Sequence, residues 1–182
     1  DLLLFLFGKE HNNDDSPGYS DFGGGNENNE DYFETAIREG GEELTGFLGD
    51  AEDIKKQIKN AGGYYPLDYH FPDNPNNSYH IHMFYIDYDE NLPKYYNANH
   101  NFLWKKMDNN VLSKTKLFEK IEIGWFSIND IKKRRSEFRK FYQNIVDRIV
   151  SEQKSILKFL RSRTSRKKNP KKHQKTRKNK KH

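Results

Sequence analysis

The chain has 182 residues, the length of one ordinary domain with an appendage, and its 32 Lys and Arg against 27 Asp and Glu give a net charge of +5. It contains no cysteine, which excludes a disulfide framework, a thiolate nucleophile and a cysteine-ligated zinc site. The charge is unevenly divided: residues 161–182 hold twelve Lys or Arg and no acid, so an acidic body carries a separate polycationic tail.

Residues 2–7 (Leu-Leu-Leu-Phe-Leu-Phe) are a continuous apolar run ending at Gly8. A bilayer span needs roughly 20 apolar residues, and the run lacks the basic flank and small-residue cleavage site of a signal peptide. Its length suits a strand buried on both faces. No membrane partner is expected, and an intracellular location is: cytoplasmic, or nuclear if the tail is a targeting run. The first residue is Asp, so the domain is also expected to lack a preceding N-terminal strand.

Residues 11–18 read as a polar loop, and residues 19–25 (Tyr-Ser-Asp-Phe-Gly-Gly-Gly) as a short strand entering a glycine turn. A helix is expected over 30–44, with Phe33, Ala36, Ile37 and Leu44 on one side. Gly40 and Gly41 inside it each cost about 1 kcal/mol relative to Ala, which invites close packing or close backbone approach as the reason. A second helix over 51–60 is followed by breaks at Gly62, Gly63 and Pro66. Residues 79–88 alternate as a strand, with His80, His82, Phe84 and Ile86 on one face and Ile81, Met83 and Tyr85 on the other. An aromatic loop over 90–110, a strand over 121–127 and a helical turn over 128–132 follow. A long amphipathic helix over 138–160 completes the series, with Phe138, Phe141, Ile145, Ile149, Ile156 and Phe159 at helical spacing. The elements mix without regular βαβ alternation, so the expected class is a compact α/β (α+β) domain over 1–160 with a disordered basic tail over 161–182.

Glu39, Glu42 and Glu43 fall at i, i+3 and i+4, within about a right angle of one another at 100° per residue. The apolar set is centred roughly 120° away. On an arbitrary Glu-rich helix such a cluster is a solvated acidic face. Here the flanking residues point elsewhere: Gly24 is followed after five residues by Glu30, after seven more by Arg38 and Glu39, and after two more by Glu42 and Glu43. This spacing resembles the signature of the Nudix family. It departs from that pattern at Gly40, where the family has an apolar residue, and at Thr45, where the family has glycine and this chain has Gly46 one place later. Residues 19–25 and the run Gly124, Trp125, Phe126 also resemble Nudix proteins of large DNA viruses, some of which are mRNA-decapping enzymes.

The resemblance covers about residues 2–149 and implies a mixed β-sheet between helices. It further implies that Glu39, Glu42 and Glu43 ligate Mg²⁺ or Mn²⁺, hard cations that prefer carboxylate oxygen. Arg38 would orient the glutamates with Glu30 as its ion-pair partner, and Gly23, Gly24 and Gly25 would let the loop backbone approach the metal. The activity implied is hydrolysis of a diphosphate linkage in a nucleoside diphosphate joined to another group, with capped RNA among the candidates. A Nudix-fold module that binds RNA or nucleotide without catalysis is the alternative. In decapping-type members a late Glu six residues before a Trp-Phe pair assists the water; that spacing falls on Glu119, with Glu122 as rival. His80 and His82 share a face but lack a third soft ligand for zinc. Tyr95, Tyr96, Phe102 and Trp104 offer rings for stacking a base. The tail, Lys167 and Lys168 included, offers phosphate contacts to RNA.

Overall fold

The computed structural model describes residues 2–11, 14–27, 29–112, 114–115 and 119–167, without the side chains of 75, 109 and 164–167. The apolar run at the N-terminus forms β1 (Leu4–Glu10), which lies at the centre of a three-stranded antiparallel sheet ordered β2–β1–β5, with β2 Tyr19–Ser20 and β5 Lys120–Ser127. A separate hairpin pairs β3 (Tyr64–Phe71) with β4 (Asn74–Phe84). The fold is therefore mixed α and β, with small antiparallel sheets. The expected mixed sheet is not what forms: among the described residues every strand ladder is antiparallel, and Tyr19 with Phe138 makes an isolated parallel bridge.

Alternation along β1 and β5 gives the three-stranded sheet two buried faces. Phe7 and Phe126 enter a core with Tyr19, Phe138, Tyr142, Ile145 and Ile149, which brings α6 (Gln143–Ser151) onto that side. Leu6 and Ile123 face the other way and meet Leu44 at the end of α1 (Tyr32–Glu43) and Tyr96 of α3 (Asn91–Lys106). Helices thus cover both faces. A third cluster, Ile37 with Ile54 and Ile58, packs α1 on α2 (Ala51–Ala61).

Three expectations need correction. The 90–110 stretch is helical: Pro93 sits in the first turn of α3, where its missing N–H has no intrahelical acceptor to serve, and Tyr96 and His100, four apart, are buried. The chain break expected at Pro66 is instead β3, because among the described residues β3 is an edge strand that pairs with β4 alone. The single helix over 138–160 is interrupted. Phe138 is extended, 3-10 turns cover Arg135–Glu137 and Lys140–Tyr142, α5 (Ile128–Lys133) precedes them, and α6 ends at Ser151 before α7 (Gln153–Lys167) begins. At the α6 end the Ser151 hydroxyl donates to Arg148 O at 2.7 Å, a local bond that competes with helix continuation. Helix α7 also takes in residues 161–167, the start of the expected tail, while the rest of the tail, 168–182, lies outside the described residues. Among the described residues no helix is long and apolar enough to cross a membrane.

The exit from α1 explains one sequence departure. Thr45 takes φ +49° and Gly46 φ +75°, and their amides bond to Glu42 O at 2.9 Å and Gly41 O at 3.2 Å. This is a Schellman closure with a β-branched residue in the left-handed position, where glycine is the unstrained choice. Gly40 and Gly41 need no such freedom. A Cβ on Gly40 would stand 3.9 Å from Ile54 Cδ1, and one on Gly41 3.8 Å from Ala51 N, both ordinary contacts, so close approach is not their reason. Gly40→Ala is therefore expected to raise unfolding stability by about 0.5–1 kcal/mol; a lower urea midpoint at unchanged slope would refute the packing described.

Candidate active site

The helix that carries the glutamates is fixed at its start by a capping box. Asp31 Oδ1 accepts from the Glu34 amide at 2.8 Å, and the Glu34 carboxylate accepts from the Asp31 amide at 3.2 Å. That origin sets which way the following side chains project. Arg38 uses both sides of its guanidinium on Glu30, Nε to Oε1 at 2.8 Å and Nη2 to Oε2 at 3.1 Å. Its Nη1 donates to Glu39 Oε1 at 2.8 Å and Glu42 Oε2 at 3.3 Å, and its Nη2 to Gly25 O at 3.2 Å. One cation thus ties the glycine loop, Glu30 and two helix glutamates together. Hydrogen bonding from Arg38 holds the Glu30 carboxyl down at about 2.

The glutamates are not a solvated face: Glu39 and Glu43 are buried and Glu42 is half-buried. Each buried one lies against the glycine loop. Gly23 N donates to Glu43 Oε2 at 3.0 Å, and a Cβ on Gly24 would come within 2.5 Å of Glu39 Oε1. The other oxygen of Glu43 lies 3.3 Å from the ammonium of Lys120, which is fully buried and also bonds to Glu10 and to Ser20 Oγ at 3.1 Å. Arg139 Nη1 reaches the same Glu10 at 2.8 Å. Burial pushes the Glu43 carboxyl well above the usual range against the pull of Lys120. Burial would depress the Lys120 ammonium, but Glu43 and Glu10 more than offset it and keep it charged. Nearby, burial raises the Asp21 carboxyl, which accepts from the Tyr79 hydroxyl at 2.7 Å.

Lys120 was not among the residues singled out in the sequence, and a bulge explains why. Lys9 pairs with Glu122 but Glu10 pairs with Lys120, so Ile121 is the extra residue of β5. The bulge turns Lys120 to the α1 side of the sheet, whereas strict alternation would leave it on the face of Glu122. Its stem passes over Gly8, where a Cβ would meet Lys120 Cγ and Cδ at 2.9 Å. Glu122 points to the other face, where it bonds the Tyr19 hydroxyl and lies 3.8 Å from Lys9 Nζ. Glu119, just before the bulge, is exposed and near enough to Glu43 to act on its charge. Of the two late carboxylates, Glu122 therefore faces away from the helix glutamates.

The aromatic candidates fare differently. Tyr96 is core, its hydroxyl 2.7 Å from Glu43 O and 3.0 Å from Lys120 O, so it pins the end of α1 to the start of β5. Trp104 packs with His11 and His100 at 5.3 and 5.5 Å between ring centroids. Tyr95 and Phe102 are exposed. None of these rings lines the cavity of about 710 Å³ that opens beside the glycine loop between β1 and β4. Asp21, Gly23, Gly24, Tyr32, His80 and His82 do line it. His80 and His82 share a face as expected, His82 packing edge-on against Tyr64 and Phe33. Lys167 is the last residue of α7 and Lys168 lies outside the described residues.

Among the described residues no group of three or more His, Asp or Glu side chains is gathered about one point as a bound metal requires. As placed, Glu39 and Glu42 turn to Arg38, and Glu43 to Lys120. In kind the donors nevertheless fit a hard dication: carboxylate oxygens line one helix beside Gly24, where a side chain would intrude. Among the described residues, Glu10, Glu27, Glu30, Glu39, Glu42, Glu43 and Asp14 pair with three cations, Arg38, Lys120 and Arg139, so further positive charge would be favoured here.

No family model matches the chain, and neither a curated protein nor a solved structure matches it.

Removing the buried ammonium would take from Glu43 its ion-pair partner and leave Glu10 with Arg139 alone. Lys120→Met is expected to destabilise the fold by about 3–5 kcal/mol. A chemical-denaturation midpoint equal to the parent's would show that Lys120 is not the partner on which Glu43 depends.

Proposed function

We propose that the chain is a Nudix-type hydrolase that uses Mg²⁺ or Mn²⁺ to split a diphosphate linkage in a nucleoside diphosphate joined to another group, capped RNA being one candidate. The observation that carries this is the joint one at α1. The spacing Gly24, Glu30, Arg38, Glu39, Glu42, Glu43 belongs to a loop and helix in which Arg38 grips Glu30 and two buried glutamates abut the glycine loop.

Glu39, Glu42 and Glu43 would hold the metal, with backbone from the Gly23 to Gly25 loop alongside. When bound, the dication offsets the charge of the diphosphate and lowers the pKa of a bound water. Arg38 keeps Glu39 and Glu42 on one side of the helix. Lys120 fixes the buried end of Glu43 from below. Glu119, whose charge acts on Glu43, would take the proton of the attacking water. Displacement is in line at phosphorus, with no covalent intermediate on the chain. The non-catalytic alternative has one observation in its favour, the pairing of Glu43 with Lys120, which gives that carboxylate a cation already.

Purified chain is tested with Mg²⁺ and with Mn²⁺ on capped RNA, ADP-ribose and nucleoside triphosphates. The parent is expected to turn over at least one substrate. Glu42→Gln and Glu43→Gln are each expected to reduce that rate to background while far-ultraviolet circular dichroism is kept. Unchanged turnover in both variants sinks the assignment; a parent that binds nucleotide and hydrolyses none of the panel selects the binding module.

RNA is the partner proposed for the tail. Residues 168–182 carry eight Lys or Arg and no acid, a composition that binds by releasing counterions from phosphates. Deleting them is expected to weaken binding of single-stranded RNA and to flatten its salt dependence, while turnover of a small nucleotide is kept. Equal loss of both would move the tail into the catalytic domain's structure.

A further inference from the structure

We propose that Tyr32 and His80 form a stacking platform that seats a nucleobase of the substrate in the cleft beside the glutamate helix. The proposal rests on the hydrolase reading for its substrate class, and it names the side chains that would recognise the base.

Tyr32 is the first residue of α1 and 54% exposed, so it has no place in the core. Its ring nonetheless lies on the His80 imidazole, with 3.9 Å between centroids and 19° between planes. His80 is held at both nitrogens, Nδ1 to Asp68 Oδ1 at 2.7 Å and Nε2 to Ser78 Oγ at 2.8 Å. A ring anchored twice keeps its plane, which is what a stacking surface requires and what an ordinary surface histidine lacks. Both rings line the cavity of about 710 Å³. That volume is within the usual range of small-molecule sites, roughly 300–1,000 Å³.

Position selects the ligand. Gly23 and Gly24 line the same cavity and abut Glu43 and Glu39, which do not line it themselves, so the glycine loop is the wall shared by the glutamates and the cleft that carries Tyr32 and His80. The platform itself presents planar rings and no Lys or Arg, which suits a flat heterocycle rather than another phosphate. Polar groups for the edge of such a ring are close by on the same cavity. His82 Nδ1 is buried without a hydrogen-bond partner among the described residues, and Asp21 lines the same cavity. Stacking tolerates any base; these edge groups would choose among them.

Binding is read by NMR titration of the whole chain without added metal, so that no turnover intervenes. The probes are guanosine, adenosine and cytidine monophosphates, with ribose 5-phosphate as the base-free control. At least one nucleotide is expected to bind about 10-fold or more tightly than ribose 5-phosphate and to move the Tyr32 and His80 ring protons upfield. Tyr32→Ala is expected to erase that advantage while leaving ribose 5-phosphate binding unchanged, and Tyr32→Trp to restore it. His80→Ala should act like Tyr32→Ala, and because Tyr32 is exposed its variants keep the test open if the His80 variant fails to fold. Equal affinity of the parent for nucleotides and ribose 5-phosphate overturns the platform, as does undiminished nucleotide binding in Tyr32→Ala. A parent that binds nucleotides on these rings but hydrolyses nothing supports the platform and overturns the hydrolase reading, so the two failures are distinguishable.

Discussion

Burial of one ammonium organises the region around α1. Lys120 is inaccessible to solvent, and an uncompensated charge there would cost far more than a small domain can carry. It is compensated by Glu10 from β1, Glu43 from α1 and the Ser20 hydroxyl from β2, so three elements meet on it. Several local features serve this meeting. The β5 bulge turns Lys120 to the correct face, Gly8 leaves room for its stem, and Tyr96 joins the backbone carbonyls of Glu43 and Lys120. A buried ion pair of this kind adds little net stability, but it penalises any other register of β5 against β1.

The same constraint shapes the chemistry available to the glutamates. Glu43 is anchored by Lys120 and the Gly23 amide, whereas Glu39 and Glu42 are gathered by Arg38 from the opposite side. Two protein cations therefore hold apart carboxylates that would otherwise repel, and they do so without neutralising the set. The surplus of acid beside a glycine loop would favour a further cation at a place where backbone can come close. The cleft with the Tyr32 and His80 stack opens on that same loop. The glutamates and the ring stack are thus adjacent but built from different elements, α1 and the loop for one, β4 and the helix start for the other.

Much of the local structure was legible in the sequence. The apolar run of β1, the periodicity of α1 and α2, the alternation around His80 to Phe84 and the short β5 all appear close to where pattern alone puts them. The errors share a cause. In α3 the aromatic stretch read as a loop, but Tyr96 and His100, four apart, are buried by tertiary contacts that local pattern does not record. In β3, Pro66 looked like a break, yet an edge strand has an unpaired side that tolerates it. Across 138–160 the apolar spacing is real, but Phe138 is drawn into the sheet core and Ser151 caps a carbonyl, so one stripe is shared by two helices.

The sequence by itself determined the spacing from Gly24 to Glu43, and with it a helix whose three glutamates share a side, because that geometry follows from a period of 3.6 residues and needs no distant partner. It also determined that the body is acidic and the tail basic. Only the tertiary structure decided that Glu39 and Glu43 are buried, that Lys120 lies beneath Glu43, and that Glu122 faces away from them. The reason is the bulge: one extra residue in β5 reverses the face of what precedes it, and a bulge is fixed by pairing with β1 more than a hundred residues away, which no local pattern records.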